Sequence, residues 1–150
     1  MNDNFHIYDT TLRDGAQQEG LNLSVHDKLA IARHLDDLGV GFIEGGWPGA
    51  NPKDTEFFKR AQTELKLKNA TFMAFGATRR PNVKAADDVL LRALADSGAA
   101  GVTLVAKSQY GTWTTADGNP GPITKQIRET LLGIQHGVIE DKHGWNVKVC

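Results

Sequence analysis

Arg13 and Asp14 stand side by side just beyond a short apolar run, Phe5-His6-Ile7-Tyr8, that reads as a strand. A fixed cation beside a fixed carboxylate suits the joint binding of a divalent metal and an anionic keto substrate. The carboxylate offers hard oxygen ligands, and the guanidinium offers a planar fork of donors. An Arg-Asp pair met in isolation is more often structural. Asp9 is placed to orient Arg13, and Gly15 lets the backbone turn without steric cost. Glu44 ends a second apolar run. A partly desolvated carboxylate at a strand end suits proton handling, and it suits bonding to loop amides equally well. Arg79 and Arg80 follow a third run. Their forks match carboxylate or phosphate oxygens, and the alternative is a solvated loop. Lys107, after a fourth run, reads as a strand-end lysine whose head reaches water. A Schiff-base lysine would need a desolvated pocket. His6, His26, His34, His136 and His143 are scattered, with no His-x-His pair among them.

Such residues work only if regular elements hold them, and the elements alternate. A strand over about residues 5–9 leads into the Arg-Asp-Gly loop. Ser24 caps a helix whose apolar positions Leu29, Ala30, Ala32, Leu35 and Leu38 keep a helical spacing, and Gly39 closes it. Residues 40–44 read as a second strand, and Gly45-Gly46-Trp47-Pro48-Gly49 as a loop. Asn51-Pro52 opens a second helix with Phe57, Phe58, Ala61 and Leu65 inward. Residues 70–75 form a third strand, and 85–97 a third helix through Val89, Leu90, Leu91, Leu94 and Ala95. Residues 101–106 form a fourth strand, apolar enough for burial on both faces. Residues 109–122 are rich in Gly and Pro and read as a long, divergent loop. A helical pattern follows over 123–141, and a fifth strand begins at 145–149. Repeated strand-loop-helix units imply a parallel sheet with right-handed crossovers. Two α/β architectures compete. An open doubly wound sheet closes within this length, whereas a (β/α)8 barrel takes at least ~200 residues.

Composition narrows the partners. A net charge of −1 with interspersed signs favours neither nucleic acid nor an anionic membrane. The single cysteine, Cys150, excludes an internal disulfide and fits a reducing compartment. The polar start has no signal-peptide core, and no apolar run nears the ~20 residues that span a bilayer. The expectation is a soluble cytoplasmic protein.

The phrases Tyr8 to Gln17, Ser24 to Ala32, Phe42 to Gly49, Asn51 to Asp54, Ala74 to Pro81 and Lys107-Ser108 resemble the metal-dependent (HMGL-like, pyruvate carboxyltransferase-type) barrel enzymes that join acetyl-CoA to an α-keto acid. Glu44-Gly45-Gly46-Trp47-Pro48-Gly49 places the resemblance nearest the citramalate synthase branch. The resemblance implies a parallel (β/α)8 TIM barrel of which residues 1–150 are about the first half. It implies an acyltransferase that condenses acetyl-CoA with pyruvate on the route to isoleucine, as a homodimer. Asp14 would be a ligand of a divalent metal (Mn, Mg or Zn), and Arg13 would hydrogen-bond the keto oxygen. Glu44 would face the active site and handle protons. Gln17 matches a polar position near the metal, and a turn-stabilising amide is the other reading. Arg79 and Arg80 would meet substrate carboxylate or CoA phosphates. The family completes its metal site with a His-x-His pair that this sequence lacks, so one ligand of three is present. The alternatives are an isopropylmalate or homocitrate synthase-like enzyme, or an inactive half barrel that needs a partner.

Overall fold

The computed structural model describes residues 5–106 and 127–130. Four strands, β1 (Tyr8–Asp9), β2 (Phe42–Glu44), β3 (Thr71–Ala77) and β4 (Gly101–Val105), form one sheet in the order β1-β2-β3-β4. Every neighbouring pair is parallel. Three helices, α1 (Val25–Leu38), α2 (Pro52–Glu64) and α3 (Val89–Ala95), make the crossovers. A doubly wound sheet reverses its strand order at a switch point and carries helices on both faces. Here each strand adds beside the last, and right-handed crossovers then put all three helices on one side. That is the winding of a (β/α)8 barrel, and the described residues supply four of its strands.

Local chemistry explains the helix limits. Ser24 and Asp27 form a reciprocal capping box at the start of α1, and Gly39 ends it in the left-handed region at φ 86°. The Asn51 side chain accepts from the Asp54 N–H at the start of α2, with Pro52 in the first turn. The core lies between helices and sheet in two clusters. One gathers Leu12, Leu29, Ala32, Val40, Ile43, Phe57 and Ala61. The other gathers Phe58, Ala74, Leu91, Leu94, Ala95 and Ala99. Adjacent Phe57 and Phe58 send their rings into different clusters, and Phe72 touches both rings at 5.6 and 5.0 Å. Burying each of these rings contributes about 2–3 kcal/mol.

Several expectations need correcting. Ladder pairing begins only at Tyr8, and Phe5 and Ile7 are exposed. The expected third helix is broken. A 3-10 turn at Ala85–Asp87 is separated from α3 by Asp88, whose backbone is extended at φ −83°, ψ 107°. The Asp88 carboxylate accepts from the N–H groups of Arg80, Leu90 and Leu91, so it caps α3 and cannot continue a helix through itself. Of the apolar positions that trace the first and third helices, Leu38 and Val89 are exposed. Strand β4 is only half-buried throughout, because β3 is its one strand neighbour among the described residues. The expected loop at 109–122, most of the helix at 123–141 and the strand at 145–149 lie outside the described residues, as do Lys107, Ser108, His136, His143 and Cys150. Among the described residues no helix is long and apolar enough to cross a membrane.

Buried Asp36 holds the α1 end to the start of β3, accepting from the N–H groups of Lys68, Asn69 and Ala70. Burial alone would raise its pKa, but those three donors outweigh it and hold the carboxyl below its ordinary value. Asp88 is lowered in the same balance of burial against backbone donors from Arg80, Leu90 and Leu91. A carboxyl with a depressed folded value stabilises the fold fully above its unfolded value near 3.8. That contribution disappears as pH falls through the folded value. Asp36→Ala is therefore expected to cost about 2–4 kcal/mol at pH 7, because it orphans three donors. The difference from the parent should shrink below pH ~3, and urea denaturation at both pH values measures it.

Candidate active site at the strand ends

Strand β1 ends at Asp9, and the loop after it is wound on one carbonyl. The N–H groups of Arg13, Asp14 and Gly15 all converge on the Thr10 oxygen, at 3.1, 2.9 and 3.1 Å. Leu12 is fully buried and pins this loop to the core. Arg13 and Asp14 therefore follow a fixed anchor. Gly15 does not serve the turn as expected: its φ is not positive, and a Cβ there would meet only ordinary contacts at 3.8 Å. Asp9 does not orient Arg13 either. Its carboxylate accepts from the Thr11 N–H and hydroxyl, each at 3.0 Å.

The orienting acid is Glu44, at the C-terminal end of β2. Its carboxylate is 1% exposed and accepts from Arg13 Nε at 2.5 Å. Arg13 Nη1 meets Asp14 Oδ1 at 3.1 Å, and the guanidinium carbon lies 4.1 Å from the centre of the Phe75 ring. The cation is thus gripped by two carboxylates and an aromatic face. The second Glu44 oxygen accepts from the Tyr8 hydroxyl at 3.0 Å. That hydroxyl also meets Thr103 Oγ1 on β4. With its one proton given to Glu44, Tyr8 receives the Thr103 proton. Burial raises the Tyr8 phenol well above its ordinary range; the Thr103 bond opposes this, and the Glu44 charge adds to it. Register puts Glu44, Met73 and Gly101 in one row and Phe75 and Thr103 in the next, on the sheet face turned away from the helices. Neither Tyr8 nor Thr103 is marked by its own sequence neighbourhood, because their partners lie on other strands.

A second group holds the loop after β2. Lys28 on α1 is buried and donates to the Gly45 carbonyl at 3.1 Å and to Asp54 Oδ1 at 2.5 Å. Asp54 Oδ2 accepts from the Trp47 N–H and from Asn51 Nδ2. Gly46, at φ 143°, passes so near this carboxylate that a Cβ would lie 2.6 Å from it. Trp47 meets Phe75 edge-on at 5.5 Å, beneath Arg13. Between this loop and the one after β1 lies a cleft of about 560 Å³. Arg13, Gln17, Leu21, Trp47 and Lys53 are among its walls.

Gln17 is exposed on that wall, one 3-10 turn beyond Asp14. Arg79 and Arg80 follow β3 at the same end of the sheet but do not join the Arg13 group among the described residues. Arg79 donates to the carbonyls of Arg80 and Val83 and pairs with Glu129. Arg80 reaches Asp88 at 3.4 Å and is half exposed. His26 and His34 are exposed on α1. Among the described residues, no three His, Cys, Asp or Glu side chains converge to hold a metal. Asp14 is exposed, and Arg13 engages only one of its oxygens, so it fits as one oxygen ligand of a hard divalent cation.

Comparison with known proteins bears on this geometry directly. The chain is 68% identical over 108 residues to a (R)-citramalate synthase of Streptomyces coelicolor, a match covering 72% of this chain and 20% of that one. It is 56% identical over 102 residues to a (R)-citramalate synthase of Synechocystis, covering 68% and 18%. A 2-isopropylmalate synthase of Salinibacter ruber is 39% identical over 90 residues, covering 60% and 16%. The chain spans about a fifth of the length of the (R)-citramalate synthases it matches. The HMGL-like family model matches residues 4–110, a stretch that holds the four described strands and the whole Arg13, Asp14 and Glu44 group. With its singly wound parallel sheet and a charged cluster at the strand ends, the chain belongs to the HMGL-like family.

Proposed function

We propose that this chain supplies the keto-acid end of a (R)-citramalate synthase-type active site, in which acetyl-CoA is condensed with pyruvate. The observation that carries the reading is the grip on Arg13 by Glu44, Asp14 and Phe75 at the C-terminal ends of the strands, where barrel enzymes place their chemistry. Similarity to curated (R)-citramalate synthases supports the choice of pyruvate over bulkier keto acids.

In this reading Arg13 donates to the pyruvate keto oxygen and opposes the negative charge that grows there as the carbon-carbon bond forms. Its geometry is set beforehand, so little reorganisation accompanies the reaction. We assign Glu44 to orienting Arg13, because both of its oxygens are already engaged by Arg13 and Tyr8. Asp14 holds the guanidinium from the other side and would provide one ligand to a divalent metal, with Mn, Mg and Zn as candidates. When bound, that metal supplies Lewis-acid polarisation of the carbonyl. Gln17 on the cleft wall and half-exposed Arg80 after β3 are polar groups that would meet the rest of the substrates, Arg80 the CoA phosphates in particular. Arg79, held by Glu129 and two carbonyls, serves the loop that presents Arg80. A homodimer belongs to the same proposal, and sedimentation measures it.

The test uses a chimera in which residues 4–110 of this chain replace the matching segment of the Streptomyces coelicolor enzyme. With acetyl-CoA as co-substrate, kcat/KM is expected to favour pyruvate over 2-ketoisovalerate by at least about tenfold, since two additional methyl groups must clash or be accommodated. A preference for 2-ketoisovalerate would refute the assignment.

A further inference from the structure

Removing Tyr8 would leave Glu44 without a donor on one oxygen, deep under the site. The Tyr8 ring is stacked on Phe42 at 5.8 Å with planes 25° apart, so its hydroxyl is carried at a fixed height above the sheet. Through Glu44 on β2 and Thr103 on β4, that hydroxyl joins β1 to both strands across the inner face. The chain of bonds runs from Thr103 to Tyr8, from Tyr8 to Glu44 and from Arg13 to Glu44. A carboxylate bonded through one oxygen alone can rotate about its Cγ–Cδ bond. Bonded through both, it presents its second oxygen to Arg13 Nε along one direction.

We infer that Tyr8 is a positioning residue: its hydroxyl, braced by Thr103, locks Glu44 and through it the Arg13 guanidinium that would face the keto acid. The inference rests on the reading of Arg13 as the substrate-facing cation, but the lock itself is a property of these four side chains and is measured without substrate. Tyr8→Phe removes the hydroxyl and keeps the stacked ring, so packing on Phe42 is retained.

Two measurements separate the lock from the chemistry. In the 150-residue chain, exchange of the Arg13 Nε–H with water is followed by NMR, with Arg60, paired to Glu64 on the surface, as the internal reference. Tyr8→Phe is expected to speed Arg13 Nε–H exchange about tenfold, as the loss of a charge-assisted bond worth ~1.4 kcal/mol implies, and to leave Arg60 unchanged. An unchanged Arg13 rate overturns the inference. Should Tyr8→Phe lose the folded spectrum, Thr103→Val removes the far brace and is expected to speed the same exchange about threefold; no change there overturns it equally. In the chimera, Tyr8→Phe is expected to lower kcat about tenfold with the pyruvate KM within about twofold, a split that general loosening would not produce. Equal rates for parent and variant overturn the inference. If the parent chimera has no synthase activity, the condensation reading fails, and the exchange rates alone decide the role of Tyr8.

Discussion

Arg13→Lys in the chimera is expected to lower kcat by about 10²–10³-fold, the usual cost of losing one preorganised charge donor. Lysine keeps the charge but not the fork. Arg13 uses Nε for Glu44 and Nη1 for Asp14 while its flat face rests on Phe75. A single ammonium cannot hold both carboxylates at those angles and still present a donor to a keto oxygen. Affinity for Mn²⁺ should fall by no more than about tenfold, because the Asp14 ligand remains and lysine keeps a cation beside it. Steady-state kinetics with a parallel calorimetric metal titration measures both, and a near-parental kcat would remove Arg13 from the chemistry.

Lys28→Met is the substitution expected to harm the fold most. It leaves Asp54 inside the protein without its cation and the Gly45 carbonyl without its donor. Breaking one partner out of a buried pair costs about 3–5 kcal/mol. The loop after β2 should loosen first, since Asp54 also holds the Trp47 N–H and Asn51. Urea denaturation of the chimera, read by tryptophan fluorescence, measures the loss. A variant within 1 kcal/mol of the parent would show that the pair is dispensable.

What could be read from the residues alone follows the range of the forces involved. The ends of α1 and the start of α2 were legible because Ser24, Asp27, Gly39, Asn51 and Pro52 act within one helical turn. The parallel alternation was legible from the spacing of apolar runs. Apolar spacing alone left barrel and open sheet both possible, because strand order rests on pairing between distant residues. The family resemblance carried by the phrases from Tyr8 to Pro81 chose the barrel, and the β1-β2-β3-β4 order agrees with it. The break at Asp88 was overlooked although its cap on the Leu90 and Leu91 N–H groups is local, because the apolar spacing after it masks the cap. Only its third donor, Arg80, lies eight positions away. Arg13, Asp14 and Glu44 were visible as charged groups at strand ends, and the structure brings these three together. Tyr8, Thr103 and the Lys28–Asp54 pair were missed. Tyr8 looks like one more apolar strand residue, and Lys28 like one more exposed helical lysine, until β2, β4 and α2 bring up their partners.

The central claim is that the Arg13, Asp14 and Glu44 cluster belongs to an acetyl-CoA:pyruvate condensing site. Its most direct measurement is thiol release from acetyl-CoA by the chimera, with and without pyruvate, for the parent and for Asp14→Asn. The account predicts release that depends on pyruvate in the parent, with Asp14→Asn slower by more than about 10²-fold and weaker in Mn²⁺ binding by more than about tenfold. Pyruvate-dependent release that persists undiminished in Asp14→Asn would contradict it.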